Sequence, residues 1–356
     1  MPTALEIAMG RSVPLTQGIL MAVQTSHPLL SAFDVRTTTD KRFMSLVLTG
    51  LPGSAFVEYN QGFTPSKTTL AIREFDCKLI GGQIAEEVIT ANEWNKAHPH
   101  AGYTYFDLQT EGKTTADLRH IERCTIYGTA VDPKAPAGLK ELTPFIPATN
   151  NLSLTDSPDD FDFTKSVINA GGTAAGTASS VYSICFGDKD AQLVIGNDQG
   201  GEFFTMSDII QQMLPPDPAK PTETSLHNVM QIHGFIGLSV GGFTKLTPDQ
   251  TVPTQYAVRR LANVTNDAAA KVTDAKLEKL VLSHNDGKRP SILAMSPRSG
   301  DQWAASRSAA NVSVFLGGMG SAKDSQVNLQ APRPTNYEGI PVVYTSLIRN
   351  NDTIEI

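Results

Sequence analysis

The 356-residue sequence is short of charge: Asp, Glu, Lys and Arg together make up 18% of it, against about 25% in an ordinary soluble domain. Two readings of that shortage stand open. One is a Gly/Ser/Thr-rich β protein with polar but uncharged loops; the other is a chain whose surface is mostly covered by neighbours. Positive charge is scarcer still. The net charge of −7 argues against a dedicated nucleic-acid binder, whose phosphate contacts need a basic excess. No apolar run approaches the ~18 residues of a membrane span. The opening Met1-Pro2-Thr3-Ala4-Leu5-Glu6 has no basic region leading into an apolar one, so it is not a signal peptide. Cysteines are only three, Cys77, Cys124 and Cys185. Scattered and odd in number, they make no disulfide or metal framework and suit a reducing compartment, so synthesis in a cytoplasm is expected.

Motifs for chemistry are missing too. The loop Gly171 to Thr177 is the nearest thing to a phosphate cradle, but Thr177 and Ala178 follow Gly176 where a P-loop carries lysine. His98, His100, His120, His227, His233 and His284 include no His-x-x-x-His pair, and no Cys-x-x-Cys accompanies them. Asp156, Asp159, Asp160 and Asp162 lack the glycine and distal glutamate of a calcium loop and read as a solvated acidic loop. No serine sits in a Gly-x-Ser-x-Gly elbow. Cys77 in a strand and Cys124 in a helix read as small buried hydrophobes. No catalytic residue, cofactor or metal site is therefore expected.

What the chain does contain is a series of short elements. Residues 1–33 resemble an arm, with apolar patches at Gly18 to Val23 and Pro28 to Leu30. Between Asp34 and Asp76 the pattern is extended, with strands expected at Leu46 to Leu48 and Phe56 to Tyr59. Turn signals stand at Gly50-Leu51-Pro52-Gly53 and Gly62-Phe63-Thr64-Pro65. A two-stranded hairpin has little stability of its own in water, so something outside its domain must hold it. Leu79 to Ile84 reads as a strand with a bend, and Thr90 to Glu93 has capping-box spacing for a short helix carrying Trp94. An exposed helix is expected from Thr114 or Thr115, with Leu118, Ile121 and Thr125 on one narrow face and Gly128 as its stop.

Beyond residue 150 the composition changes. Val181 to Gly187 and Gln192 to Gly196 read as two strands around a turn, and Ser207 to Leu214 as a serine-capped helix ended by Pro215-Pro216. Strands follow at Met230 to Val240 (a buried pair or one bent strand) and Gln255 to Val264. Thr273 caps an amphipathic helix with Leu277, Leu280 and Val281 on one face, another helix starts near Pro297, and Asn336 to Ile348 is a turn feeding a strand.

Taken in order, Ile126-Tyr127-Gly128, Ala137-Gly138-Leu139, the Gly171 loop, Val181 to Phe186, Gly237 to Val240, Tyr256 to Asn263, Lys276 to Leu280, Pro290 to Ser296 and Tyr337 to Val343 resemble the major capsid proteins of tailed bacteriophages with the Hong Kong 97-type fold, in the short-tailed-phage branch without a fused protease. The resemblance covers nearly the whole chain. It implies an α+β fold with an N-terminal arm (1–33), an extended loop (34–76), a peripheral domain with a long spine helix (77–150), an axial domain (151–330) and a strand returning to the peripheral domain (331–356). It implies a structural subunit rather than an enzyme, one that self-assembles into hexamers and pentamers around double-stranded DNA without reading its sequence. It has no membrane or small-molecule partner. Portal, scaffolding and decoration proteins are its expected partners, and the virion its expected location after synthesis in a bacterial cytoplasm. Lys41, Arg42, Phe43, Phe56, Tyr59, Phe63 and Lys67 are the interface candidates. Lys41 and Lys67 match no motif for the lysine-to-asparagine cross-link of some relatives, and none is expected. An encapsulin-like compartment shell is the nearest alternative, and a cytoplasmic α+β enzyme with an unrecognised site is a more distant one.

Overall fold

The computed structural model describes residues 27–50, 53, 56–59, 61–62, 65–67, 69–97, 104–145, 151–152, 165–187, 190–196, 203–215, 224–241, 257–284, 288–316 and 333–355. The expected Gly18 to Val23 patch, the Asp156 to Asp162 cluster, His98, His100 and Phe63 lie outside them. The described chain is α+β, built on two large sheets, a separate two-stranded ribbon and one long helix.

A short helix α1 (Pro28–Ala32) leads into β1 (Val35–Thr37), the ribbon strands β2 (Arg42–Gly50) and β3 (Thr69–Asp76), and β4 (Lys78–Glu87). Phe56 to Tyr59, expected as a strand, lies instead in the connection between β2 and β3; the partner of β2 is β3, in a register running from Arg42 opposite Asp76 to Leu48 opposite Leu70. Helix α2 (Val88–Ala97) begins two residues before the expected Thr90 cap and carries Trp94 against the Tyr105 ring, 5.7 Å between centroids.

Helix α3 (Tyr105–Tyr127) is the long one, and it starts ten residues or so before the expected Thr114. Thr104 caps it through Asp107 in a reciprocal box. Its first half escaped the apolar pattern because its inward stripe is partly threonine. The hydroxyls of Thr110, Thr114 and Thr125 each donate 2.9 Å to the carbonyl four residues earlier, so their polarity is spent on the helix's own backbone. The helix is not simply exposed, since Phe106, Leu118, Ile121, Ile126 and Tyr127 are buried. It stops where expected, at Gly128, whose φ of 56° favours glycine. After a 3₁₀ turn the chain folds back through α4 (Leu139–Leu142).

The first sheet is organised on one strand. β11 (Ser225–Val240) pairs with β4 over residues 227–236. β10 (Ile210–Leu214), β9 (Thr205–Met206) and β8 (Ala191–Ile195) pair with its residues 225–229, 232–233 and 236–240. Because those registers overlap that of β4, they occupy the opposite edge of β11. β1 adds in parallel to β8. Met230 to Val240 is thus the inner part of one long strand. Ser207 to Leu214, expected as a helix, is largely strand. Ile209, Ile210, Met213 and Leu214 have helix-like spacing, but the stretch is too short to hold a helix alone, and its backbone is satisfied by the ladder to β11.

The second sheet has the order β14 (Asn336–Tyr337), β15 (Ile340–Tyr344), β13 (Ile292–Met295), β7 (Ser179–Ile184), β12 (Val258–Val264), β6 (Val167–Asn169), β5 (Asn151–Leu152). β7 and β8 are therefore not a hairpin: they stand in different sheets, joined near the turn only by a bridge between Phe186 and Ala191. Strands from 151–330 stand in both sheets, and β15 from the last segment pairs with β13.

The second sheet is buried on both faces, and alternation along its strands sorts two cores. Tyr182, Ile184, Ile292 and Ala294 join the core beneath α1, α3 and the first sheet. Val181, Leu293, Met295 and Leu261 join the one beneath α5 (Asp274–Leu282) and α6 (Pro297–Leu316), around Leu277, Leu280 and Trp303. Two polar groups around the second core are held in place. Trp303 Nε1 donates 2.7 Å to Asp274. The buried Lys276 ammonium donates to the carbonyls of Ala170, Ala269 and Lys271, tying α5 to the glycine-rich loop. Thr273 stands at the start of α5 but makes no side-chain cap.

Candidate assembly surface

The ribbon β2–β3 is rooted in the first sheet and free beyond it. At its root the Cys77 amide donates 2.9 Å to the Lys41 carbonyl. Lys41 Nζ stands 5.5 Å over the Phe235 ring, and the Arg36 guanidinium 4.7 Å over Phe43. Phe43 stacks on Phe75 across the ladder, 6.4 Å between centroids. Arg42 reaches Asp76 at 3.5 Å and Glu74 at 3.7 Å. A hydrogen bond and the charge of Lys78 hold the Asp76 carboxyl below its ordinary range. Three of the expected interface residues, Lys41, Arg42 and Phe43, thus anchor the ribbon within its own chain.

Past the root the apolar groups are bare. Met44, Leu70 and Ile72 are 60%, 61% and 66% exposed. Met44 and Ile72 share a face by register: Met44 is opposite Glu74, and Leu46, two residues on, is opposite Ile72. In the connection Phe56 and Tyr59 are fully exposed, at 109% and 100%, and Lys67 is exposed beside them. Met44, Leu70 and Ile72 went unpredicted because Ile72 to Asp76 mixes apolar and charged residues and β3 was not expected as a strand.

A second open area lies on the first sheet. A concavity is lined by Gln83 of β4, Gln231 and Val229 of β11, and Ile210 and Gln212 of β10. β10 carries no charged residue, exposes Ile210 and Met213, and among the described residues pairs with β11 alone. Sheet edges are usually protected by charge or proline, and among the described residues this one has no charge along it and only Pro215 at its end. Sequence reasoning missed it by reading the stretch as helix.

Two groupings resemble parts of catalytic sites. Cys124 Sγ lies 3.5 Å, and Asp132 3.3 Å, from the same His120 nitrogen, Nε2. A nucleophile and an orienting carboxylate need opposite ring nitrogens, and burial pushes the thiol up to about 11, away from the reactive thiolate. They rim a shallow cleft with an apolar floor of Ile121, Leu193, Ile236 and Leu238. Ser183 Oγ is 2.7 Å from His284 Nε2, and Cys185 Sγ 3.5 Å from its Nδ1, but all three are buried. The glycine-rich loop already holds an anion: Asp267 accepts from the Thr173 amide at 3.2 Å and the Thr265 hydroxyl at 2.8 Å. A phosphate would meet that carboxylate. Among the described residues no group of three or more His, Cys, Asp or Glu side chains can hold a metal ion, and no helix is long and apolar enough to cross a membrane.

The chain matches no protein-family model and no curated protein sequence. Its backbone is similar to that of a chain in the near-atomic cryo-EM structure of bacteriophage Epsilon15. The TM-score is 0.57 at 13% identity, covering 90% of this chain and 87% of that one. Lower scores connect it to a chain of Mycobacterium phage Cain, with TM-score 0.42 at 13% identity over 73% of this chain and 97% of that one. A chain of the procapsid of bacteriophage JBD30 gives 0.40 at 12% identity over 97% and 99%. The fold is that of the Epsilon15 chain, over nearly the full length of both.

Proposed function

We propose that this chain is a phage major capsid protein, a non-enzymatic subunit of the Hong Kong 97 type whose copies close into an icosahedral shell around double-stranded DNA. The observation that carries the reading is the ribbon β2–β3: a two-stranded element with Met44, Leu70 and Ile72 bare on a chain whose fold, along 90% of its length, is that of a bacteriophage protein. A ribbon of two strands with an uncovered apolar face is stabilised by adding to another surface, and in a shell that surface is a neighbouring copy. The shortage of surface charge has the same cause, since large obligate interfaces are apolar at their centres.

On this reading residues 1–33 are the arm, 34–76 the extended loop, 77–150 the peripheral domain with α3 as its spine, 151–330 the axial domain, and 331–356 the returning strand. Phe56, Tyr59 and Lys67, with Phe63 beside them in sequence, then meet a neighbour, while Lys41, Arg42 and Phe43 set the angle at which the ribbon leaves. Hexamers and pentamers of one chain need small adjustments of that angle. Portal, scaffolding and decoration proteins are the partners, and the virion is the destination. The test is sedimentation of the expressed protein, with negative-stain imaging of what runs fast. Capsomer rings or closed particles are expected; a monodisperse monomer, even with a scaffolding protein co-expressed, overturns the proposal.

A further inference from the structure

Three stretches far apart in sequence meet at one buried carboxylate. Glu122 of α3 is 0% exposed, and His27, where the described chain enters, is 1% exposed with its Nδ1 3.3 Å from Glu122 Oε2, an ion-pair contact in which neither atom makes a hydrogen bond. The Thr345 hydroxyl, just past β15, donates 2.8 Å to Glu122 Oε1, and a backbone hydrogen bond at Leu29 of α1 adds to the same side chain. The charged group bearing on both partners is Arg119, on α3 itself. α1 has no ionisable residue; in the C-terminal segment the cations next to Thr345 are engaged elsewhere, Arg349 over Tyr127 and Arg333 over Tyr344.

We propose that the His27–Glu122 pair is a proton-operated clasp: carrying one proton between them, it holds His27 and α1 against α3, and a second proton releases them. A sealed site tolerates one proton on this pair, because a neutral pair or an imidazolium–carboxylate pair has no net charge. Adding a second leaves an imidazolium beside a neutral acid, with no buried anion to offset it. This inference stands apart from the shell reading, since it concerns contacts within one chain.

The pH at which release begins follows from linkage. Burial pushes the Glu122 carboxyl up to about 7 from 4.5, so its contribution to holding is complete below pH 4.5 and lost as pH rises through about 7. Burial, then the Arg119 charge, lowers His27 from 6.5, so its contribution is complete above pH 6.5 and lost as pH falls. Between pH 4.5 and 6.5 the released form carries its proton on His27 and the held form on Glu122, so the two effects oppose each other. Below pH 4.5 the released form gains a second proton, which the buried pair resists.

Hydrogen exchange of the amides of residues 29–33 in the full chain, corrected for intrinsic rates, reads the clasp, with the β7 amides as an internal control for global unfolding. In the native chain the opening equilibrium is expected to be flat from pH 6.5 to 4.5, then to rise about tenfold per pH unit for one proton. With Glu122→Gln the released chain protonates His27 alone, and the rise starts near pH 6.5. With His27→Gln protection increases from pH 7 to 4.5 and no acid release follows. A Glu122→Gln profile superimposed on the native one, or a native rise already at pH 6.5, overturns the proposal.

Discussion

The backbones of Gly128 and Gly138 cross so closely that a Cβ built on either would lie 2.3 Å from the other's amide nitrogen. One ends α3 and the other precedes α4, so this crossing turns the chain back along the helix. The Gly138 amide then donates 3.2 Å to Glu141, which also accepts from Thr129. The spacing of a helix-ending glycine and a later Gly-Leu pair is thus the sequence trace of a close contact.

Replacing Gly138 by alanine should destabilise the subunit by about 1–3 kcal/mol through forced displacement of packed backbone. Gly128→Ala should cost at least as much, because its positive φ adds strain to the same clash. The denaturant midpoint of the unassembled subunit measures both; a midpoint unchanged in Gly138→Ala would mean that the crossing relaxes freely.

Aspartate at Ile72 and at Met44 should leave the subunit folded, with stability within about 0.5 kcal/mol as for other exposed positions. Closed particles should be lost, because the charge would be buried against a neighbour. Deleting residues 50–63 should do the same. Circular dichroism checks the fold and sedimentation the assembly; normal particles from either variant would remove the ribbon from the interface.

Acid should loosen the C-terminal segment through Glu355. Burial pushes its carboxyl up, but the paired Arg260 guanidinium and Lys140 outweigh that and hold it below 4.5. The contribution is therefore present above pH 4.5 and lost as pH falls through the lower folded value. Glu355→Gln should remove that acid dependence. It should also cost about 3 kcal/mol at neutral pH by leaving Arg260, almost wholly buried, without its anion. Urea titrations at pH 7 and pH 4 compare the two proteins; equal losses for both on acidification would contradict the assignment.

The fold was legible where side chains and backbone asked for the same thing. Val258 to Val264 and Ile292 to Met295 are buried at every position because their sheet is covered on both faces, and Leu277 and Leu280 mark the inward face of α5. It was illegible where the backbone was satisfied from afar. Ile210 to Leu214 is a strand because residues 225–229 lie beside it, and nothing local says so. Thr110 and Thr114 look polar and are buried, because their hydroxyls bond within the helix. At the candidate surface, the aromatic and basic residues drew notice. The root residues Lys41 and Phe43 and the open residues Phe56 and Tyr59 differ only in what stands across from them, which a sequence does not list.

The meeting of Glu122 with Thr345 also sets a schedule. The two are separated by 223 residues, and ribosomes add about 5–20 residues per second, so about 11–45 s pass between their syntheses. Over that interval α3 lacks the Thr345 hydroxyl, and β13 lacks its neighbour β15. A nascent chain cut short before residue 340 is left with an open edge on its most buried sheet. A copy without β15 keeps an unpaired edge on β13, and an open edge of that kind is a template for pairing with another chain.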